Sequence, residues 1–168
     1  MTDDELSASK ARKEKIREIM NSHLVYPFNV PSEKWEEADF CLEAIGLKKN
    51  ALRFVSRKFW KDHDFCFEAV KRRAEAIEWI DDNVLTLEMC LNAVKQNGDA
   101  LGSVPKHLLT EDIILEALKF DGTALYYVPK NNLTKLIITT AIKQNKDALQ
   151  YVPEEWREEA REVLKIVL

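Results

Sequence analysis

Between residues 88 and 97 Met89, Cys90, Ala93 and Val94 form one stripe, and Asn97 falls on its next step. That stepping puts all of them on one face of an α-helix. The stripe recurs as DFCLEAI at 39–45, DFCFEAV at 64–70, EMCLNAV at 88–94, DIILEAL at 112–118 and LIITTAI at 136–142, with Ala at 44, 69, 93, 117 and 141. A second phrase alternates with the first. It reads DALGSVPKHL at 99–108, TALYYVPKNN at 123–132 and DALQYVPEEW at 147–156. Its closing dipeptide aligns as Val30-Pro31, Val55-Ser56, Ile80-Asp81, Val104-Pro105, Val128-Pro129 and Val152-Pro153, spaced by 25, 25, 24, 24 and 24 residues.

Each period predicts a longer helix and a shorter one. Thr86, Thr110 and Thr134 precede the longer helix, where a hydroxyl accepts from a free first-turn N–H. Glu88, Glu111 and Asp112 suit the positive end of its dipole. QNG at 96–98, FDG at 120–122 and QNK at 144–146 predict a left-handed helix end. Asp99, Thr123 and Asp147 are the expected N-caps of the shorter helix, and the proline after it turns the chain. Trp35, Trp60, Leu85, Leu109 and Leu133 supply one apolar anchor per period. A unit of about 24 residues cannot bury its own apolar face, so copies must stack. The small Ala column lets neighbouring helices approach closely.

The fold expected is therefore an all-α, short helical-repeat solenoid: one domain over 1–168, with about five short-helix/long-helix units between residues 28 and 153. Outer units face water and need caps. Residues 1–27 carry Ile16, Ile19 and Met20 on one face among charges and predict an N-terminal capping helix. Residues 154–168 place Trp156, Ala160, Val163 and Val167 at helical spacing and predict a C-terminal one.

Composition narrows the partners. The chain of 168 residues has a net charge of −4, which draws it to neither nucleic acid nor an anionic membrane. No apolar run approaches the roughly 18 residues a membrane span needs. The opening MTDDELSASK is acidic and polar, unlike a secretory signal. Three cysteines without a CxxC pair predict free thiols in a reducing, cytoplasmic compartment.

The blocks ALxYVP and AVKQNG (Ala93 to Gly98) resemble the bacterial and protist repeats catalogued as domain of unknown function 4116. The resemblance runs over roughly residues 28–156 and is strongest from 76 to 153. Ser56 in place of proline, and KRRAE at 71–75 in place of the Lys-Gln-Asn-Gly run, depart from the pattern. That family has no assigned activity. Its members often form tandem arrays, some in bacteria that inject effectors into host cells, and this implies a possible translocated role.

Side chains with chemistry fall mostly into structural columns. Cys41, Cys66 and Cys90 share a column with Ile114 and Ile138, which reads as core. Stacked helices would also hold successive thiols about 8–10 Å apart, too far to share one ion. His23, His63 and His107 lack partners at metal-ligand spacing. No phosphate loop or nucleophile elbow is present, so neither catalytic residues, metal nor cofactor are expected. Lys71, Lys95, Lys119 and Lys143 each follow the column alanine by two residues. They would form a basic row for an acidic partner, or simply complement the helix dipole in each last turn, which the pattern favours. Phe54, Trp79, Tyr127 and Tyr151 form an aromatic column broken by Ser103, expected in the core. Tyr126 beside Tyr127 is the expected exposed contact. Glu154, Glu155, Glu158, Glu159 and Glu162 resemble the acidic tails of some injected proteins, but such helices are common on ordinary surfaces, which is the favoured reading.

The leading expectation is a monomeric, non-catalytic protein-interaction scaffold with an unidentified protein partner. A secreted effector or regulator that binds a host protein is the alternative, and an enzyme with an inter-helical site is a distant third.

Overall fold

The computed structural model describes residues 2–21 and 30–167. All regular structure there is helical. Seven α-helices occur among the described residues: α1 (Asp3–Asn21), α2 (Ala38–Leu47), α3 (His63–Arg72), α4 (Leu87–Gln96), α5 (Glu111–Phe120), α6 (Lys135–Gln144) and α7 (Arg157–Val167). The five helices from α2 to α6 are each ten residues long. The chain divides into two compact units, Met1–Val84 and Leu85–Leu168.

In the first unit α1 packs on α2 and α2 on α3. Ile16 and Met20 of α1 are buried there, as a capping helix requires. Arg12 pairs with Glu37 and Asp39, and Arg17 with Glu43, at 3.1–3.3 Å across the surface. In the second unit α4, α5, α6 and α7 pack in sequence order. Ala160 is buried while Trp156 and Val163 are half-buried, so α7 closes that unit. The side chain of Val167 and all of residues 22–27 lie outside the described residues, as does His23.

The Ala column explains how closely the helices pack. Ala44, Ala69, Ala93, Ala117 and Ala141 are all fully buried. The Val/Ile column at 30, 55, 80, 104, 128 and 152 is buried too. Cap chemistry follows the threonines: Thr86, Thr110 and Thr134 accept from the N–H of Met89, Ile113 and Ile137 at 3.3–3.4 Å. Asp62 fills the same column in α3, where it accepts from the Phe65 N–H at 2.8 Å.

The shorter element is a 3₁₀ helix of six residues, seen at Lys49–Phe54, Ala74–Trp79, Gly98–Ser103, Gly122–Tyr127 and Lys146–Tyr151. Two expectations fail at its start. No residue among those described has positive φ, so the α-helices do not end in a left-handed residue. They end instead on one extended residue, such as Asn97 with φ −151° and ψ 113°. That residue, and not the one two places on, is also the cap. The side chains of Asn97, Asp121 and Asn145 accept from the N–H of Asp99, Thr123 and Asp147. One side chain thus begins the 3₁₀ turn as its backbone leaves the α-helix.

Glycine is required here by closeness, not by φ. A Cβ on Gly98 would sit 3.0 Å from the Ala117 carbonyl oxygen and 3.2 Å from the Asp121 Cβ. A Cβ on Gly122 would press inside contact distance of the Ala141 carbonyl oxygen. Gln144 closes the same seam: its amide nitrogen donates to the Phe120 carbonyl at 2.9 Å, and its oxygen accepts from the Gly122 N–H. In the first unit Arg73 occupies the junction column and works differently. Its guanidinium donates to the Ile45 and Gly46 carbonyls at 2.7 and 3.2 Å, covering the open end of α2.

Candidate functional site

The exposed chemistry of the second unit gathers on its 3₁₀ helices. These pack on one another in order, 98–103 on 122–127 and 122–127 on 146–151. A 3₁₀ helix has three residues per turn, so positions three apart share a stripe. Ala100, Leu101, Ala124, Leu125 and Ala148 are buried and hold each helix to its α-helices. Tyr126, Tyr127 and Tyr151 are left at the surface, with 66%, 38% and 36% of their area exposed. Their rings touch: Tyr126 meets Tyr127 at 5.1 Å and Tyr151 at 5.4 Å between centroids, both edge to face. Tyr127 in turn lies on Gly102, where an added Cβ would fall 2.7 Å from its ring. The rings of two consecutive copies therefore rest on a third. None of the three hydroxyls meets a protein partner among the described residues.

The aromatic column is thus not core, as the sequence led us to expect. Phe54 is half-buried, while Trp79, Tyr127 and Tyr151 keep a third or more of their surface in water. The reason is the 3₁₀ geometry, which ends the stripe begun by a small alanine at the rim of the layer. In the first unit the ring there stacks on the anchor of the preceding copy: Phe54 on Trp35 at 5.3 Å and Trp79 on Trp60 at 6.3 Å. The indole N–H groups of Trp35 and Trp60 are buried without a hydrogen-bond partner among the described residues. Trp60 and Trp79 also line an open groove of about 470 Å³ with Arg57, Glu78 and Asp81.

Lys71, Lys95, Lys119 and Lys143 all lie exposed in the last turn of their helices. Two are engaged locally: Lys71 with Glu68 at 2.8 Å and Lys119 with Glu116 at 3.1 Å. The residue three positions earlier is Asn92 for Lys95 and Thr140 for Lys143, which offers no such ion pair. The row is therefore half neutralised within its own helices.

Cys41, Cys66 and Cys90 are free and buried. Burial pushes the Cys41 and Cys66 thiols up to about 12 and that of Cys90 to about 11. Thiols held protonated in this way are poor nucleophiles. His63 opens α3 at the surface, 3.2 Å from Asp64, and His107 is exposed in the turn Lys106–Leu108. Among the described residues no group of three His, Cys, Asp or Glu side chains is placed to hold a metal ion, and no helix is long and apolar enough to cross a membrane.

Sequence reasoning missed the tyrosine contacts, although one signal was present. Gly102 stands opposite Tyr126 in the repeat register, and Ser103 breaks the aromatic column at the same copy. Small residues in one copy make room for large ones in the next.

A helical repeat with an exposed aromatic band is the class of protein that these features define. The chain matches the family described as domain of unknown function (DUF4116) over residues 39–85 and again over 86–134, more than half its length. It belongs to that family. The two matches meet beside the division between the compact units. No curated protein and no solved structure matches the chain.

Proposed function

We propose that the chain is a non-catalytic protein-interaction module whose contact surface is the 3₁₀ face of residues 98–151. The observation that carries this reading is the contiguous set of exposed rings at Tyr126, Tyr127 and Tyr151. Interfaces concentrate their binding energy in a few aromatic anchors. Covering the exposed two-thirds of Tyr126 would return about 2–3 kcal/mol. Lys95 and Lys143, which lack a carboxylate three residues earlier, are the members of the lysine row best able to add a charged rim. The reading includes a cytoplasmic location, which the free, buried thiols support.

The test compares two double variants with the native chain in quantitative capture from lysate. Tyr126→Ala with Tyr151→Ala should lose the captured partner while the chain still unfolds cooperatively; Tyr126 is 66% exposed, and Tyr151, 36% exposed, accounts for an expected fall in Tm of several degrees. Lys95→Glu with Lys143→Glu tests the lysine row in the same assay, where weaker capture is expected and native capture would remove the row from the contact surface. Capture by the tyrosine variant equal to that of the native chain would end the proposal.

A further inference from the structure

The tyrosine band has a charge at one end. Asp99 and Gly102 are three residues apart in one 3₁₀ helix and so share a stripe. Tyr127 lies on Gly102, one turn along that stripe from Asp99. The negative charge of Asp99 is the first cause that raises the Tyr127 hydroxyl above its ordinary range, followed by burial and by Tyr126 and Tyr151. Asp99 itself is exposed, and its carboxylate makes no ion pair or hydrogen bond among the described residues; only its backbone N–H is engaged, with Asn97. An exposed carboxylate and the tyrosine rings thus share the 3₁₀ face of adjoining copies.

We propose that Asp99, Tyr126, Tyr127 and Tyr151 form a receptor for an arginine side chain presented by a partner protein. This rests on the interaction reading above and names the chemistry of the partner. Three physical points favour arginine. A planar guanidinium lies flat on a tyrosine face and is attracted by its quadrupole. Its forked N–H groups match a carboxylate in a bidentate, charge-assisted pair. A lysine ammonium is compact and strongly hydrated, and gains less from flat rings. An anionic segment would be repelled by Asp99, and a proline-rich one would use the rings but leave the carboxylate unpaired.

The experiment is an NMR titration of the full chain with the blocked peptide Gly-Arg-Gly-Arg-Gly, and with versions carrying lysine or citrulline in place of arginine. The expected result is saturable shifts confined to the amides of 98–103, 122–127 and 146–151. Binding should weaken about tenfold for citrulline and for Asp99→Asn, and about threefold or more for lysine. Asp99→Asn keeps the backbone bond to Asn97 and changes only an unpaired group, so it should fold as the native chain does. Equal binding by the citrulline peptide, equal binding by Asp99→Asn, or shifts outside those segments would each overturn the proposal. A blocked oligoproline that saturates the same amides more tightly than the arginine peptide would also overturn it. Lysate capture that survives Asp99→Asn but is lost with the tyrosine pair would sink the arginine assignment alone. Capture that survives both would sink this proposal together with the interaction reading.

Discussion

Replacing single glycines by alanine sets two effects against each other in one chain. Backbone propensity favours alanine at each position, by about 0.5–1 kcal/mol within a helix. Since none of these glycines has positive φ, no conformational penalty opposes that gain. Only the neighbours differ. At Gly46 in α2 an added Cβ would find the Arg72 side chain at 3.9 Å, an ordinary contact. Gly46→Ala should therefore stabilise by the full propensity term, raising Tm by about 1–4 °C for a chain of this size. At Gly98 the contacts of 3.0 and 3.2 Å fall on backbone and on Asp121, so a few tenths of an ångström must be yielded. Gly98→Ala should lose about 0–1 kcal/mol net. At Gly122 the Cβ would press on the Ala141 carbonyl and lie 3.0 Å from both the Asn145 nitrogen and the Gln144 side-chain oxygen. The seam must open there, at about 1–3 kcal/mol for overpacking and about 1 kcal/mol for the Gln144 bond. Net of propensity, Gly122→Ala should lose about 1–3 kcal/mol. Urea unfolding followed by circular dichroism measures all three. A Gly122→Ala chain as stable as Gly46→Ala would refute the close seam as the reason for glycine.

Thr134→Ala should cost about 1 kcal/mol in the same assay by removing the acceptor for the Ile137 N–H. Asp62→Ala should cost as much or more, because its bond to Phe65 is shorter and charge-assisted, and an unchanged urea midpoint in either variant would contradict the capping role. The cysteines predict an alkaline effect: folded thiols pushed to about 11–12 hold protons that the unfolded chain releases above its ordinary value of 9.0. Stability present below about pH 9 should thus fall as pH rises toward the folded values, and replacing all three by valine should flatten that part of the profile.

Much of this was legible because repetition averages over local noise. The Ala, Cys/Ile and Val/Ile columns each predict burial several times over, and every member is buried. The threonine caps were readable because one hydroxyl needs only one N–H within its own helix. What failed depended on how tightly the chain winds between those columns. Asp99, Thr123 and Asp147 look like caps if the short helix starts at Ala-Leu, but a 3₁₀ turn starts earlier and takes Asn97, Asp121 and Asn145. The same tightening moves Tyr127 and Tyr151 from core to rim. Tyr126 was readable as exposed, but its contacts with Tyr127 and Tyr151 depend on the size of residues 24 positions away. A single copy cannot reveal them.

The junction that lacks any left-handed residue has a bearing on how such chains change through descent. An extended φ near −150° is open to every amino acid but proline, and Lys48, Arg73, Asn97, Asp121 and Asn145 all take it. Side chains that cap the next turn and side chains that reach back to the preceding helix can therefore both occupy that site and keep the bend. A duplicated stretch of DNA encoding one period arrives with a working joint already in place, so the length of the protein is free to drift in whole copies.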